Sequence, residues 1–482
     1  MNFDELVELT LVEDVQLSTD GVTLHYDAPA AVPDDVVAAL RRHKAELIRW
    51  LSAAPGSAGV QSRHPPSYLQ RRLLARHDEH PDPAVYNVRW KLDLAGPLDP
   101  VALSAALSAV VARHEALRTR FVRRCGHVVA EVMAPIPVPL PVHEDGDPVV
   151  AGIDRPFDPA AAPLLRACLV RHDDRRDYRR GERRWTLLLT LHHLACDQAS
   201  VAIIMDELSA LYAAADPLAE PVQYAEFARW ERRTLAEPRG RDRLLGHWRA
   251  ELAGAELRPP LPYDRPRPAR RSGRGAEHRF TVGADLLHGL DETARRLRTT
   301  RYTVLCGAFA LLLGQLTGQR DVVVMASGTS RTLPEHEKIV GFFAEALPLR
   351  VRIPERDGFA ELTARLAATV FTALDHRPMP LGFLAADLEP APVPGSPPLP
   401  TVLFTALGGE PPLPRFPGVT VTPVRPPPTG LARMELYLNM LQHEGELIGT
   451  VEYATDLFDA TTIERWCDEY LRILGRIVGP RD

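Results

Sequence analysis

The sequence predicts a mixed α/β (α+β) protein made of two lobes and a small N-terminal unit. Three observations lead to this prediction. A chain of 482 residues is too long for one simple core and fits two or three domains. Short apolar runs that suit strands alternate with helical periodicity through most of the chain. A stretch of small residues, Ala53-Ala-Pro-Gly-Ser-Ala-Gly59, separates the first part of the chain from the rest, as a flexible linker does.

Residues 1–53 are predicted to form a unit with the order helix, hairpin, helix, helix. Apolar residues repeat at helical spacing from Phe3 onward. The turn sequence Ser18-Thr-Asp-Gly21 then separates two short strands. Pro33 and the two aspartates after it open a further helix, because acidic residues are favourable in a first helical turn. An apolar face continues from there to Leu51.

The rest of the chain divides at a stretch rich in proline and arginine, Pro259 to Arg271, which is typical of an extended crossing between lobes. The α/β pattern repeats after this stretch. We therefore predict a linker at 54–64, a first lobe at 65–260 and a second lobe at 261–482.

The composition argues against several classes of function. A formal net charge of -6 gives no reason to expect nucleic acid or an anionic membrane as a partner. No apolar run approaches the roughly 20 residues that span a bilayer. The acidic start, Met1 to Glu5, does not predict a signal peptide. The five cysteines are scattered without metal-ligand spacing, so we expect no metal site and reduced thiols in a cytoplasmic protein.

The stretch most informative about function runs from Trp185 to Ser200. Apolar residues suited to a buried strand lead to His192 and His193, and helical spacing resumes soon afterwards. A neutral imidazole at a strand end can face a cleft and accept a proton near pH 7. Asp197 lies four residues further on, placed to pair with an arginine and hold the loop. Taken alone, these residues fit a metal site or a packed core histidine about as well as they fit a catalytic site.

This HHxxxD pattern, followed by a serine three residues later, resembles the signature of nonribosomal peptide synthetase condensation domains. Other stretches resemble that family in the same order. Residues 113–121 match its second motif, RHExLRTxF, at every specified position. Ser67 to Leu73 resembles the first motif, SxAQxRLW, and Val340 to Arg350 resembles the fifth, IGFFVNTLxLR. Gln198 replaces the glycine usual after the aspartate, and Glu345 replaces the asparagine of the fifth motif.

The resemblance implies two lobes of the chloramphenicol acetyltransferase type, which form a V around a central tunnel with His193 at its floor. It also implies an acyltransferase that forms amide bonds. A donor acyl thioester would enter from one face, and an acceptor amine entering from the other would attack its carbonyl. The chain lacks the carrier-serine and adenylation motifs. Both substrates are therefore expected on the phosphopantetheine of partner carrier proteins, with no cofactor bound covalently to this chain.

The same resemblance implies roles for individual residues. His193 is expected to act as the general base or to support the oxyanion, and His192 to pack. Asp197 is expected to be an ion-paired scaffold with Arg118 as its partner, although basic residues at a helix end need no such pair. Gln198 and Ser200 are expected to have structural roles within the motif. Phe343 and Glu345 are candidates for the wall of the tunnel.

Residues 1–53 resemble the N-terminal docking domains of the type described for tubulysin assembly. Such domains bind the C-terminal tail of an upstream synthetase, and the exposed edge of their hairpin suits strand addition. The alternative is a capping subdomain packed on the catalytic lobes.

Two alternative functions remain at this stage. One is an ester-forming acyltransferase that uses an alcohol acceptor. The other is a catalytically silent domain that only recruits partners. Gln198 and Glu345 favour the silent domain, whereas the intact His193 and Asp197 oppose it.

Overall fold

The protein is described here from a computed structural model. The described residues are 1–52, 59–124, 126–144, 152–172, 183–214, 218–355, 358–388, 393–409, 412–443 and 445–479. They form a mixed α/β fold, as predicted.

The N-terminal unit has the predicted order of elements. Its elements are α1 (Phe3–Val12), β1 (Gln16–Thr19), β2 (Leu24–Asp27), α2 (Asp34–Arg42) and α3 (Lys44–Ser52). Asn2 begins α1 with a capping box, since its side chain accepts from the backbone N–H of Glu5 while the Glu5 side chain accepts from that of Asn2. Leu6, Leu47 and Trp50 are among the fully buried side chains of its core.

The first lobe alternates strands with helices. Its elements are β3 (Val60–His64), α4 (Tyr68–Glu79), β4 (Asn87–Ala95), α5 (Pro100–Arg113), β5 (Thr119–Arg124), β6 (His127–Met133), β7 (Val142–Glu144), β8 (Leu165–His172), β9 (Arg184–His192), α6 (Gln198–Tyr212), α7 (Tyr224–Ala236) and α8 (Pro238–Leu252). Part of the predicted linker 54–64 is therefore regular structure, because residues 60–64 pair with β6 as strand β3. Residues 54–58 lie outside the described residues.

The second lobe repeats the pattern. Its elements are β10 (Gly275–Val282), α9 (Ala284–Arg296), α10 (Arg301–Thr317), β11 (Asp321–Thr329), β12 (Ala344–Arg352), α11 (Phe359–Asp375), α12 (Leu381–Leu388), β13 (Val402–Leu407), β14 (Thr420–Val424), β15 (Leu436–His443), β16 (Glu446–Ala454) and α13 (Ala460–Val478).

The lobes share a strand. The second lobe has a six-stranded sheet of order β10-β16-β15-β13-β11-β12, and the first has a three-stranded sheet β3-β6-β5 and a five-stranded sheet β14-β4-β9-β8-β7. Strand β14 comes from the second half of the chain yet pairs antiparallel with β4, from Thr420 opposite Ala95 to Val424 opposite Lys91. A Cβ on Gly96 would lie 2.3 Å from the backbone oxygen of Gly418, so this crossing requires a glycine.

Strand β9 and helix α6 hold the functional loop. Strand β9 lies between β4 and β8, and most of its residues are buried, which explains its nearly continuous apolar sequence. The strand ends at His192, and α6 begins at Gln198 with Asp197 as its N-cap. The loop between them is thus fixed at both ends.

The N-terminal unit packs on the first lobe through a buried ionic cluster. The carboxylate of Glu131 in β6 is fully buried and contacts the guanidinium of Arg124 at 2.6 Å. Arg124 also donates to the backbone oxygens of Trp50 and Leu51, at the end of α3. Val129 of β6 joins the apolar core of the unit. The alternative of a capping subdomain requires such packing, whereas strand β2 of the same unit is mostly exposed.

Among the described residues, none of the helices combines the length and the apolar character that crossing a membrane demands.

Candidate active site

His193 is held as a neutral base. Its backbone N–H donates to the carbonyl of Tyr86 at 3.0 Å, and its ring Nδ1 lies 2.8 Å from the carbonyl oxygen of Cys196. A carbonyl oxygen only accepts, so Nδ1 carries the hydrogen and Nε2 keeps its lone pair in the neutral ring. Burial lowers the pKa of His193 below its usual value of 6.5. At pH 7 the ring is therefore neutral, with Nε2 available to accept a proton.

His192 has a packing environment. It is fully buried, and its Nδ1 accepts from the backbone N–H of Leu194 at 3.1 Å. Its ring meets the rings of His77 and Phe157 at centroid distances of 5.3 and 5.8 Å. Burial lowers its pKa well below the usual range.

Asp197 connects the loop to the second lobe. Its Oδ1 accepts from the backbone N–H of Ser200 at 2.7 Å, which caps α6. The guanidinium of Arg331, just after β11, donates to both carboxylate oxygens at 3.0 and 3.2 Å. Arg331 also donates to the backbone oxygen of Ile339 at 2.8 Å. The ion pair therefore joins the catalytic loop to an element of the other lobe.

The predicted ion pair between Arg118 and Asp197 is wrong. Arg118 ends a 3₁₀ turn, Glu115–Arg118, and its guanidinium points to the three-stranded sheet. There it donates to Gln61 Oε1 at 2.7 Å and to the backbone oxygen of Met133 at 2.5 Å. The side chain thus donates to nearby carbonyl oxygens, and Asp197 is not among its partners.

The second motif instead secures α6 through Glu207. Arg113 donates to Glu207 Oε2 at 2.9 Å, and His114 Nε2 lies 3.0 Å from the same oxygen. Burial raises the pKa of Glu207, but hydrogen bonds from His114 and Arg113 outweigh burial and lower it to about 2.

Ser200 and Tyr224 hold the segment of the fifth motif beside the loop. Gly341 donates its N–H to Ser200 Oγ at 3.0 Å, and Ser200 Oγ lies 2.8 Å from the Gly341 oxygen. The hydroxyl of Tyr224 donates to the Phe342 oxygen at 2.6 Å and lies 2.9 Å from Ser67 Oγ. A Cβ on Gly341 would lie 1.9 Å from the Tyr224 ring, so this contact requires glycine. The first and fifth motifs therefore meet here, joined by Tyr224 of α7.

Two cavities meet at His193. The smaller has a volume of about 160 Å³ and the larger about 590 Å³. Besides His193, both are lined by Ser327, Ala344, Thr405, Arg433 and Tyr437. The imidazole therefore lines both cavities.

Of the predicted tunnel residues, Glu345 lines the smaller cavity and Phe343 lines neither. Burial raises the pKa of Glu345, although the guanidinium of Arg72 lies 3.2 Å away and opposes the shift. Phe343 is fully buried, with its ring 4.0 Å from the Arg331 guanidinium. Its neighbour Phe342 lines the smaller cavity and meets His193 edge-on at 5.0 Å.

Gln198 lines the larger cavity, and its Nε2 donates to the Gly409 oxygen at 3.3 Å. Sequence reasoning did not identify Arg331 or Arg433. Arg433 lines both cavities, and its guanidinium lies 3.3 Å from Glu452. Both arginines come from the second lobe, far from the loop in sequence. The sequence carries no signal for their roles.

Cys196 packs in the core and is not a nucleophile, because burial raises the pKa of its thiol. Among the residues with a described position, no cluster of three or more histidine, cysteine or acidic side chains could hold a metal ion.

Comparison with known proteins identifies the family. Residues 60–480 match the family profile described as "Condensation domain". The chain belongs to the condensation domain family. The chain is 33% identical over 461 residues to phosphinothricin tripeptide synthetase PhsC of Streptomyces viridochromogenes, covering 89% of this chain and 41% of that protein. The chain thus spans less than half the length of this relative.

Solved structures agree with the condensation domain fold. SgcC5 from Streptomyces globisporus superposes with a TM-score of 0.71 at 27% identity, over 86% of this chain and 98% of that one. The EpoB cyclization-docking bidomain of Sorangium cellulosum gives a TM-score of 0.68 at 18% identity, over 100% of this chain and 99% of that one. At that identity the second likeness shows the fold alone. Condensation domains of nonribosomal peptide synthetases are acyl- or peptidyl-transferring enzymes that act on substrates carried by the phosphopantetheine of carrier domains.

Proposed function

We propose that this condensation domain forms an amide bond between a carrier-bound donor acyl thioester and a carrier-bound acceptor amine. One observation carries the proposal: a neutral imidazole, with Nε2 free of its own hydrogen, stands where two cavities meet. Two substrates that enter from opposite sides would meet at this ring. Holding both in reactive geometry is the main requirement, since amide formation from a thioester is downhill.

In the proposed reaction, every bond and proton that moves has a defined destination. The acceptor nitrogen attacks the thioester carbonyl, so that an N–C bond forms and the C–S bond breaks. Nε2 of His193 accepts the proton that the nitrogen loses, and this proton passes to the departing thiolate of the donor arm. General-base assistance of this kind typically contributes about 10²- to 10⁴-fold. Asp197 and Arg331 hold the loop and take no proton.

We further propose that residues 1–52 dock the C-terminal tail of an upstream synthetase. The hairpin exposes two apolar side chains, Val22 in its turn at 76% and Tyr26 in β2 at 48%. Strand β2 has no partner besides β1 among the described strands. A tail that added a strand there would satisfy the open edge. The likeness of the whole chain to a cyclization-docking bidomain supports this role. Acidic residues outnumber basic ones in the unit, so a basic tail would be attracted and its binding weakened by salt.

The catalytic proposal is tested with loaded donor and acceptor carriers and mass analysis of the product. His193→Ala should lower the rate by about 10²- to 10⁴-fold. His288→Ala, which removes an exposed histidine, is the matched control and should retain the rate. A full rate from His193→Ala would refute the role of the imidazole. No product from the wild type with any carrier pair would favour the silent domain, and product only with hydroxyacyl acceptors would favour ester formation.

The docking proposal is tested by fluorescence anisotropy with labelled C-terminal peptides of candidate upstream synthetases. Tyr26→Ser should weaken binding at least tenfold, because it removes an apolar contact beside the strand edge and leaves the charge of the unit unchanged. Val101→Ser, at a position 77% exposed on the first lobe, is the control and should leave binding intact. If the labelled peptide bound both variants with the same affinity, the β2 edge would be refuted as the binding site.

A further inference from the structure

The smaller cavity is lined by a buried cation that has no counter-ion among the described residues. Arg76 lies on α4 and lines this cavity, and only 9% of the residue is exposed. Its Nε and Nη2 atoms are buried without a hydrogen-bond partner within the described part of the chain. No carboxylate described there forms an ion pair with its guanidinium.

The neighbouring arginines of the cavity are both matched. Arg72 pairs with Glu345 at 3.2 Å and Arg433 pairs with Glu452 at 3.3 Å. The positive charge of Arg76 is therefore in excess in a chamber that also reaches His193. A guanidinium is always charged in proteins and presents its donors in a planar fork that fits a carboxylate.

Burial makes this charge selective. In a poorly solvated chamber the attraction between opposite charges is much stronger than in water. A neutral group placed against Arg76 would displace water and leave the donors unpaired, whereas a carboxylate would satisfy two of them at once. Sites of this kind discriminate by rejecting the analogue that lacks the matching group.

We propose that the smaller cavity receives a substrate residue with a carboxylate side chain, which pairs with Arg76. This inference rests on the proposed amide-forming function and specifies the substrate class of the same site. The carboxylate belongs to whichever aminoacyl group, donor or acceptor, occupies this chamber. The other source of an anion is the phosphate of the pantetheine arm, so the test separates the two.

The rate test uses the whole chain with carriers loaded with Asp, Asn, Glu, Gln, Leu or Lys, placed in the donor arm and then in the acceptor arm. The wild type should favour Asp over Asn, or Glu over Gln, by about 10- to 100-fold in kcat/KM in one arm. Arg76→Met should reduce that ratio to near one, and Arg76→Glu should shift the preference towards lysine. Arg71→Met removes an exposed cation from the same helix and should keep the ratio.

A binding test makes the inference independent of turnover. Unreactive aspartyl and asparaginyl pantetheine amides, which lack the phosphate, are titrated into wild type and Arg76→Met by calorimetry. The wild type should bind the aspartyl probe at least tenfold more tightly than the asparaginyl probe, and the variant should not. If this ratio holds while no carrier pair yields product, the proposed function fails and the carboxylate site stands.

Two results would overturn the inference. One is equal rates and equal binding for acid and amide in the wild type. The other is that Arg76→Met lowers kcat/KM equally for every phosphopantetheine substrate but does not change the affinity for the phosphate-free probes. That result would show that Arg76 binds the phosphate of the pantetheine arm. A circular dichroism spectrum and melting curve for each variant would show that a loss of the ratio is not a loss of fold.

Discussion

Two buried carboxylates in this molecule are held in contrasting ways. Glu131, beneath the N-terminal unit, is fully buried and contacts three guanidinium groups, at 2.6 to 3.0 Å, those of Arg63, Arg120 and Arg124. Asp197, in the loop between β9 and α6, contacts one guanidinium among the described residues, that of Arg331, together with the backbone N–H and the hydroxyl of Ser200. The first cluster joins the N-terminal unit to the first lobe. The second pair joins the catalytic loop to the other lobe.

The difference shows where rigidity is concentrated. Glu131 has more counter-charge than it needs, so its cluster tolerates the loss of one arginine but not of the carboxylate. Asp197 has a single cation among the described residues, so the loss of either Arg331 or Asp197 breaks the whole ion pair. The catalytic loop is thus the more easily perturbed of the two, although its aspartate also gains from the N-terminus of α6.

The largest expected effect is that of Glu131→Gln. It leaves three arginines facing each other, with the Arg124 side chain wholly buried. Breaking a buried ion pair costs about 3–5 kcal/mol, and the additional cations should place this variant at or above the top of that range. Urea unfolding followed by circular dichroism measures the loss. The exposed Glu226→Gln is the control, with a change within about 0.5 kcal/mol. A similarly small change for Glu131→Gln would contradict the contrast between the two sites.

Arg331→Met should lower the free energy of unfolding by about 3 kcal/mol, since the helix terminus still stabilises Asp197. Asp197→Asn should have a similar effect, and the double variant should lose less than the sum of the two, because the same pair is broken once. Both variants should also react more slowly with loaded carriers, because the loop that carries His193 is displaced. Additive losses would show that the two side chains do not interact.

The pH dependence of activity and of stability should separate the two sites. Burial lowers the pKa of His193 from 6.5, so kcat/KM, expressed per free amine, should stay level down to pH 6.5 and fall only below it. Burial raises the pKa of Glu131, but Arg124 and the other arginines outweigh it, and the folded-state pKa lies below 4.5. The stabilisation that this cluster contributes is therefore present above pH 4.5 and is lost as the pH falls through the folded-state pKa of Glu131. A loss of activity that coincides with acid unfolding would show that His193 is not the group that titrates.

The smallest effect is expected for Gln198→Gly. The substitution removes one hydrogen bond, to Gly409, and a neutral bond of 3.3 Å contributes about 1 kcal/mol or less to stability. It also opens the larger cavity beside His193, so that bulkier substrates should react while the original reaction continues. Competition assays with mixed acceptors and donors measure the change. Identical substrate profiles for wild type and variant would show that Gln198 does not restrict the cavity.

The sequence predicted the secondary-structure elements better than the side-chain contacts between distant residues. The order of the N-terminal unit and the strand–loop–helix around His193 follow from local periodicity and capping, which the chain encodes within a few residues. The partner of Asp197 is 134 residues away in the other lobe, and nothing local indicates it. Arg118 belongs to a strong motif, yet its nearest acceptors are the carbonyls and the amide beside its own turn.

Adjacent residues of one motif can also face opposite ways. Phe342 and Phe343 are consecutive, and in an extended chain consecutive side chains point to opposite sides. One lines the smaller cavity and the other packs beneath Arg331. A motif identifies the pair but not which member contacts substrate. Likewise, the composition of α4 shows several arginines, and only the fold reveals that Arg76 has no carboxylate partner among the described residues.

The strand exchanged between the lobes sets a rule for building hybrid enzymes. Because β14 is encoded late in the chain but completes the sheet begun by β4, a chimera joined near residue 260 would pair strands from two different parents. A mismatched register there would turn inward-facing side chains outward along the sheet, and a missing strand would leave β4 as an open edge prone to aggregation. Productive recombination should therefore move β4 and residues 420–424 together, even though more than 300 positions separate them in sequence.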